Sequence, residues 1–218
     1  MTVRVGIIGT GFARAAYLPA LRHIPGARVV AIAERGGGLL GAHGSHQVDQ
    51  LRWWFGPVVA TFARLETMTP DRLDPDTGAA WTATADDFVH LLTGHDRCRH
   101  ADVRLSAVAP IAHENATVVH GREGTLPVRH DDETLHVARP GGAFEDVTER
   151  DPNADLPAVG PGVWTVATVG LLRELCDAIR EGRAPAAGAT FEDGWRSQRV
   201  LDAARQAHAE RRWVRVDA

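Results

Sequence analysis

Two short apolar runs, from Val3 to Ile8 and from Arg28 to Ala33, flank a glycine turn and a helical pattern from Ala13 to His23 that stops at Pro25-Gly26. Strand, turn, helix and strand form a βαβ unit, whose strands must be parallel and whose crossover is right-handed. The chain then passes from Glu34-Arg35 directly into Gly36, with no further alternation of strand and helix. A two-stranded parallel pair has open edges and one bare face, so it must dock on the rest of the chain or remain marginal.

The turn itself has phosphate-binding form. Gly9 permits a tight turn, Gly11 lets the backbone approach a pyrophosphate, and Gly9, Thr10, Gly11 and Phe12 precede a helix whose first amides are unpaired donors. Glu34 ends the second run, where a carboxylate can hold ribose hydroxyls. A carboxylate there repels a 2′-phosphate, which favours NAD over NADP. The pattern departs from the usual fingerprint at Arg14, where a small residue is expected for close helix–strand packing.

From Gly36 to Gly56 the chain reads GGGLLGAHGSHQVDQLRWWFG. Three glycines open it, helical spacing continues through Leu40, His43, Val48, Leu51, Trp54 and Phe55, and Gly56-Pro57 stops it. His43, His46 and Asp49 recur every third residue and so share one helical face. By residue type the three could ligate a metal, but the triplet also suits a solvated helix face, which is the preferred reading. Trp53 and Trp54 read as core, and Asp86-Asp87 and Asp131-Asp132-Glu133 as solvated turns.

The remainder predicts a mostly antiparallel sheet and then helices. Strand patterns run over Val58 to Met68, Trp81 to Leu92, Ala101 to Ala109, Ala116 to His120, Leu126 to Arg129 and Thr134 to Ala138, with a turn-rich stretch from Thr69 to Gly78. Val58, Ala60, Phe62 and Leu65, with Val103, Leu105 and Ala107, offer one apolar face to helices. A long loop spans Val147 to Gly162, a helix Val163 to Glu181, and another begins with the capping residues Thr190 and Asp193 and runs to about Arg211. Trp213 to Val216 closes the chain as a strand. A formal charge of -4 supplies no basic field for nucleic acid or membrane, and no apolar run reaches spanning length. Cys98 and Cys176 show no framework spacing and fit a reducing cytoplasm. All 24 basic residues are arginine, so no lysine acid, base or Schiff base exists here.

GIIGTGFARAAYLPALRHIPGARVVAIAE, the glycine-opened helix, the GREGTL turn and the tail from Cys176 to Val216 occur in the order seen in one family. They resemble the glucose-fructose oxidoreductase, inositol dehydrogenase and rhizopine-catabolism (Gfo/Idh/MocA) family. The resemblance implies an α/β fold: a Rossmann-type βαβ, truncated here to residues 1–35, then a mainly antiparallel sheet domain over 36–218 with helices on one face. It also implies an NAD(P)-dependent oxidoreductase acting on sugars, polyols or related small hydroxyl compounds. His46 aligns with the family's catalytic histidine and Asp49 with the carboxylate after it. Ala42 stands where the family has an aspartate, and the segment with its catalytic lysine is missing between Glu34 and Gly36. The resemblance implies no metal, and it implies a homo-oligomer associated through the open sheet face.

Two function classes are compatible with these residues. One is the oxidoreductase, with His46 taking the proton of a substrate hydroxyl as hydride leaves its carbon. The other is a non-catalytic binding or oligomerisation module. The missing lysine and strands predict that the chain as written lacks dehydrogenase activity.

Overall fold

The computed structural model describes residues 3–8, 27–33, 38–74, 77–96, 100–111, 114–156, 163–186 and 188–217, with backbone alone for 3–8, 27–33 and 163–165. Its helices are α1 (Ser45–Phe55), α2 (Val163–Glu181) and α3 (Phe191–Glu210). Its strands are β1 (Val3–Ile8), β2 (Ala27–Ala33), β3 (Val58–Glu66), β4 (Asp71–Leu73), β5 (Ala80–Thr82), β6 (Phe88–His95), β7 (Ala101–Ser106), β8 (Ala116–Gly121), β9 (Gly124–Arg129), β10 (Thr134–Val137), β11 (Glu145–Asp146) and β12 (Val214–Arg215). The architecture is α/β with mainly antiparallel sheets, as expected. β1 and β2 pair in parallel, Val3 opposite Ala27 and Ile8 opposite Ala33. The crossover helix expected between them lies outside the described residues.

The chain forms two compact units, residues 1–109 with 189–218, and residues 110–188. The first holds the antiparallel sheet β12-β3-β6-β7. Alternation along these strands sends every second side chain to the same face. Thr61, Ala63 and Leu65 on β3 oppose Thr93, Leu91 and Val89 on β6, which oppose Ala101, Val103 and Leu105 on β7. Helix α3 packs on β3, and α1 packs on α3. Leu40, Val48, Leu51, Val89, Leu91, Val103, Val200, Leu201 and Ala204 form the core between sheet and helices. Each fully buried Leu or Val contributes about 1.5–3 kcal/mol relative to exposure.

The opposite face of this sheet is mixed. Phe62 meets Trp213 with ring centroids 6.1 Å apart, and Asp102 accepts from Arg104 at 3.0 Å and pairs with His90 at 3.0 Å. Simple alternation places Phe62 on the helix face with Val58. A bulge between Val58 and Ala60 shifts the register, so Thr61 and Ala63 face the helices instead.

Three further expectations are overturned. The run from Trp81 to Leu92 is not one strand: β5 ends at Thr82 and β6 begins at Phe88. The stretch from Thr69 to Gly78 holds β4, which pairs with β5. The turn between β5 and β6 is not merely solvated. Asp87 is 4% exposed and accepts from Met68 N–H at 2.6 Å, Thr69 N–H at 3.1 Å and Arg72 at 2.7 Å. Burial alone would push its carboxyl up, but these donors outweigh burial and hold it below the usual carboxylate range.

The second unit contains the antiparallel sheet β11-β10-β9-β8 and helix α2. Gly182, with φ +65°, ends α2 as expected from its lack of a Cβ. Arg183 then reaches back to Glu174 at 2.7 Å. The expected loop after β11 has no helix or strand over residues 147–156.

Candidate active site

Helix α1 is entered through a π-helical turn, Leu40–Gly44. A helix N-terminus leaves amide donors unpaired, and this one is closed from a distant segment. Asp86 accepts Leu40 N–H on its carboxylate at 2.7 Å, and its backbone carbonyl accepts Leu39 N–H at 2.8 Å. The third glycine of the entry is required by this contact. Gly38 has φ +64°, and a Cβ there would lie 2.0 Å from Asp86 Oδ1. At the other end Gly56, with φ 84°, donates its N–H to the Arg52 carbonyl.

Val48 and Leu51 bury one side of α1. Arg52 pegs its flank to α3, donating to Asp49 at 3.2 Å, to the Asp193 carbonyl at 3.0 Å and to Ser197 Oγ at 3.0 Å. Ser197 also donates to Asp49 at 3.3 Å. Asp193 closes a capping box with Thr190, as its spacing predicts. The backbone N–H and hydroxyl of Thr190, then Arg52, hold the Asp193 carboxyl below its ordinary range. So Asp49 is engaged in joining the helices, while His43, in the π-helical entry, and His46, on α1, lie at exposed positions. Among the described residues no group of three or more His, Cys, Asp or Glu could hold a metal ion.

Ala42 is also exposed and brings no polar group to this side of the helix. Trp53, expected in the core, is 83% exposed, because it lies two turns beyond His46 on the side away from Val48 and Leu51. Gly9, Thr10, Gly11, Phe12 and Glu34 lie outside the described residues. Three more histidines belong to the same sheet. His95 is part of the core: its Nδ1 bonds the Gly56 carbonyl at 3.1 Å, its Nε2 meets Thr93 Oγ1 at 3.0 Å, and Phe55 packs edge-on against it. Burial depresses its pKa, against the opposing pull of Gly56 and Asp96. His90 lies on β6 and His100 just before β7, on the sheet and its turns as expected.

Residues that sequence reasoning missed are Asp86, Arg52 and Ser197. Arg52 could have been suspected from its position three residues after Asp49. Asp86 carries no local signal, being 46 residues from the amide it caps.

Residues 30–216 match the model of an oxidoreductase family's C-terminal alpha/beta domain. An uncharacterized oxidoreductase of Synechocystis sp. is 29% identical over 194 residues, covering 84% of this chain and 51% of the relative. Among solved structures, levoglucosan dehydrogenase in complex with NADH and L-sorbose superposes with a TM-score of 0.72 at 24% identity, covering 84% of this chain and 51% of its own. An oxidoreductase domain protein from Kribbella flavida gives 0.69 at 25% identity, with 84% and 51% covered. An oxidoreductase from Agrobacterium radiobacter, in complex with NAD+, L-tartaric acid and magnesium, gives 0.63 at 18% identity and covers 98% of this chain and 56% of its own. The chain thus spans about half the length of the relatives it matches. The match over most of its residues places the protein in the Gfo/Idh/MocA oxidoreductase family, through that family's C-terminal alpha/beta domain.

Proposed function

We propose that residues 36–218 are the substrate and oligomerisation domain of an NAD(P)-dependent oxidoreductase of sugars, polyols or related small hydroxyl compounds, preceded over 1–35 by a truncated dinucleotide-binding βαβ unit. The observation that carries this reading is the family match over residues 30–216, with His46 on an exposed position of a helix anchored at both ends. Levoglucosan dehydrogenase structures holding NADH, with L-sorbose or with levoglucosan, support a nicotinamide cofactor and a small sugar-like substrate.

A nicotinamide cofactor, when bound, supplies the hydride acceptor. The parallel β1–β2 pair fits the strand arrangement such a cofactor needs. In this reading backbone amides of Gly9, Thr10, Gly11 and Phe12 face the pyrophosphate, and Glu34 takes the ribose hydroxyls and disfavours NADP. His46 accepts the proton of the substrate hydroxyl. The mixed outer face of the β12-β3-β6-β7 sheet supports a homo-oligomer. No described helix is long and apolar enough to cross a membrane; a cytoplasmic location is part of the same reading.

A second reading, a non-catalytic module, is favoured by the absence of any lysine and by Ala42 in the turn before His46. The two readings agree that the polypeptide as written does not turn over. They differ over cofactor affinity, which calorimetry measures. The oxidoreductase reading expects weak binding of NAD and weaker binding of NADP, the gap narrowing in Glu34→Ala. Tight NADP binding unaffected by Glu34→Ala would contradict the assignment of Glu34, and no binding of either would leave the non-catalytic module.

A further inference from the structure

The GREGTL turn has no role in the proposed oxidoreductase reading, yet it shapes an open surface depression of about 370 Å³ whose lining includes Arg122, Glu123, Gly124, Leu126, Val137 and Arg139. The register explains the depression. Gly121 opposes Gly124 across the β8–β9 hairpin, and Thr125 bridges to Ala138, the residue just after β10. Alternation therefore puts Gly121, Gly124, Leu126, Val137 and Arg139 on one face of the sheet. Two glycines leave that face bare at the turn, while Leu126 and Val137 stand beside the gap. Gly124 cannot be otherwise, since a Cβ there would lie 2.5 Å from the Ala138 carbonyl oxygen.

The charges at this gap are unbalanced. Most arginines of the described residues are tied to a carboxylate, as Arg52, Arg72, Arg129 and Arg183 are. Arg122 and Arg139 have no ion-pair or hydrogen-bond partner for their side chains among the described residues, and both line this depression. Two arginines and one glutamate, Glu123, are among the lining residues, so the lining is net positive. A guanidinium offers a planar pair of donors suited to carboxylate and phosphate oxygens.

We propose that the glycine-floored depression at the β8–β9 turn binds a small organic anion, Arg122 and Arg139 holding its oxyanion group and Leu126 and Val137 covering its carbon body. The site is built from residues of the second unit alone and does not depend on the oxidoreductase reading.

Amide NMR titrations of the full chain at low ionic strength, with butyrate, butyramide and inorganic phosphate as probes, test this. Butyrate should shift the amides of Gly121, Gly124 and Arg139 and bind more tightly than either other probe. Arg122→Ala and Arg139→Ala should each weaken it about tenfold or more, as loss of a charge-assisted hydrogen bond requires. Arg215→Ala should leave it unchanged. Three results would overturn the proposal: no localised shifts with butyrate, equal binding of butyramide, or unaltered binding in both arginine variants. Phosphate binding as tightly as butyrate would remove the role of Leu126 and Val137 and overturn it likewise. Both arginines are exposed or nearly so and unpaired, so their variants are expected to keep the parent fold, which the unchanged remainder of the spectrum reports.

Discussion

Removing the Asp86 side chain should loosen the helix that carries His46, and by an amount that depends on residue 38. Asp86→Ala deletes one acceptor at the helix entry, the one holding Leu40 N–H at 2.7 Å, while the backbone bond to Leu39 N–H survives. Loss of a capping side chain costs about 1 kcal/mol. A carboxylate at a helix N-terminus adds about 0.3–1 kcal/mol through the helix dipole. The variant should therefore lose about 1–2 kcal/mol, a fall of roughly 2–8 °C in Tm for a chain of this size. Gly38→Ala meets two penalties. Its backbone is left-handed, at about 1–2 kcal/mol for a residue with a Cβ, and the Cβ would occupy the place of Asp86 Oδ1, 2.0 Å away. The carboxylate must swing aside and release Leu40, so Gly38→Ala already includes the loss of the cap. Adding Asp86→Ala to it should then cost almost nothing more. Urea denaturation of the parent, both single variants and the double variant, monitored by circular dichroism, gives the coupling energy, expected at about 1–2 kcal/mol. Additivity within about 0.3 kcal/mol would refute the claim that the glycine exists to admit the carboxylate.

Three further outcomes are expected. Because burial depresses the His95 pKa, the unfolded chain takes up that proton more readily than the folded one; stability is full above about pH 6.5 and falls as the pH drops below it. Urea midpoints measured across this range should show the fall in the parent and a flatter profile in His95→Gln, and identical profiles would refute the role of this histidine. Leu91→Ala, at a fully buried position between sheet and helices, should cost about 2–5 kcal/mol in the same denaturation experiment, and a loss below about 1 kcal/mol would place Leu91 outside the core. Light scattering at micromolar concentration should give a mass above that of the 23.5 kDa chain, and a monomer alone would rule out the homo-oligomer.

Legibility in the sequence was local. Gly56-Pro57 ends α1, Gly182 ends α2, and Thr190 with Asp193 starts α3, because each signal acts within one turn of its own helix. The antiparallel strands are readable from their apolar runs and tight turns. The features that escape depend on partners remote in the chain or on the phase of one strand or helix. Asp86 and Asp87 resemble any acidic turn until Leu40 and Arg72 are brought to them. One bulged residue in β3 turns Phe62 to the other face, which a period of two cannot anticipate. Trp53 reads as core for its size, but helical phase sets it away from Val48 and Leu51. Within the site, His46 and Asp49 share a face in the sequence pattern, yet Ser197 and Arg52 draw Asp49 into the joint between α1 and α3.

The decisive measurement is turnover by the chain as written. Hydride transfer from a hydroxyl-bearing carbon needs an oriented nicotinamide, a proton acceptor and a donor that fixes the substrate oxygen. In the proposed reading His46 serves as the second, and with Ala42 and no lysine in the sequence no residue serves as the third. Loss of one positioned acid/base group costs about 10²–10⁴-fold in rate. NADH or NADPH formation is to be monitored with the purified polypeptide, NAD or NADP, and a panel of sugars and inositols. No rate above background is expected with any pair. A measurable signal that disappears in His46→Ala would contradict this expectation, leaving His46 as a sufficient base without the lysine.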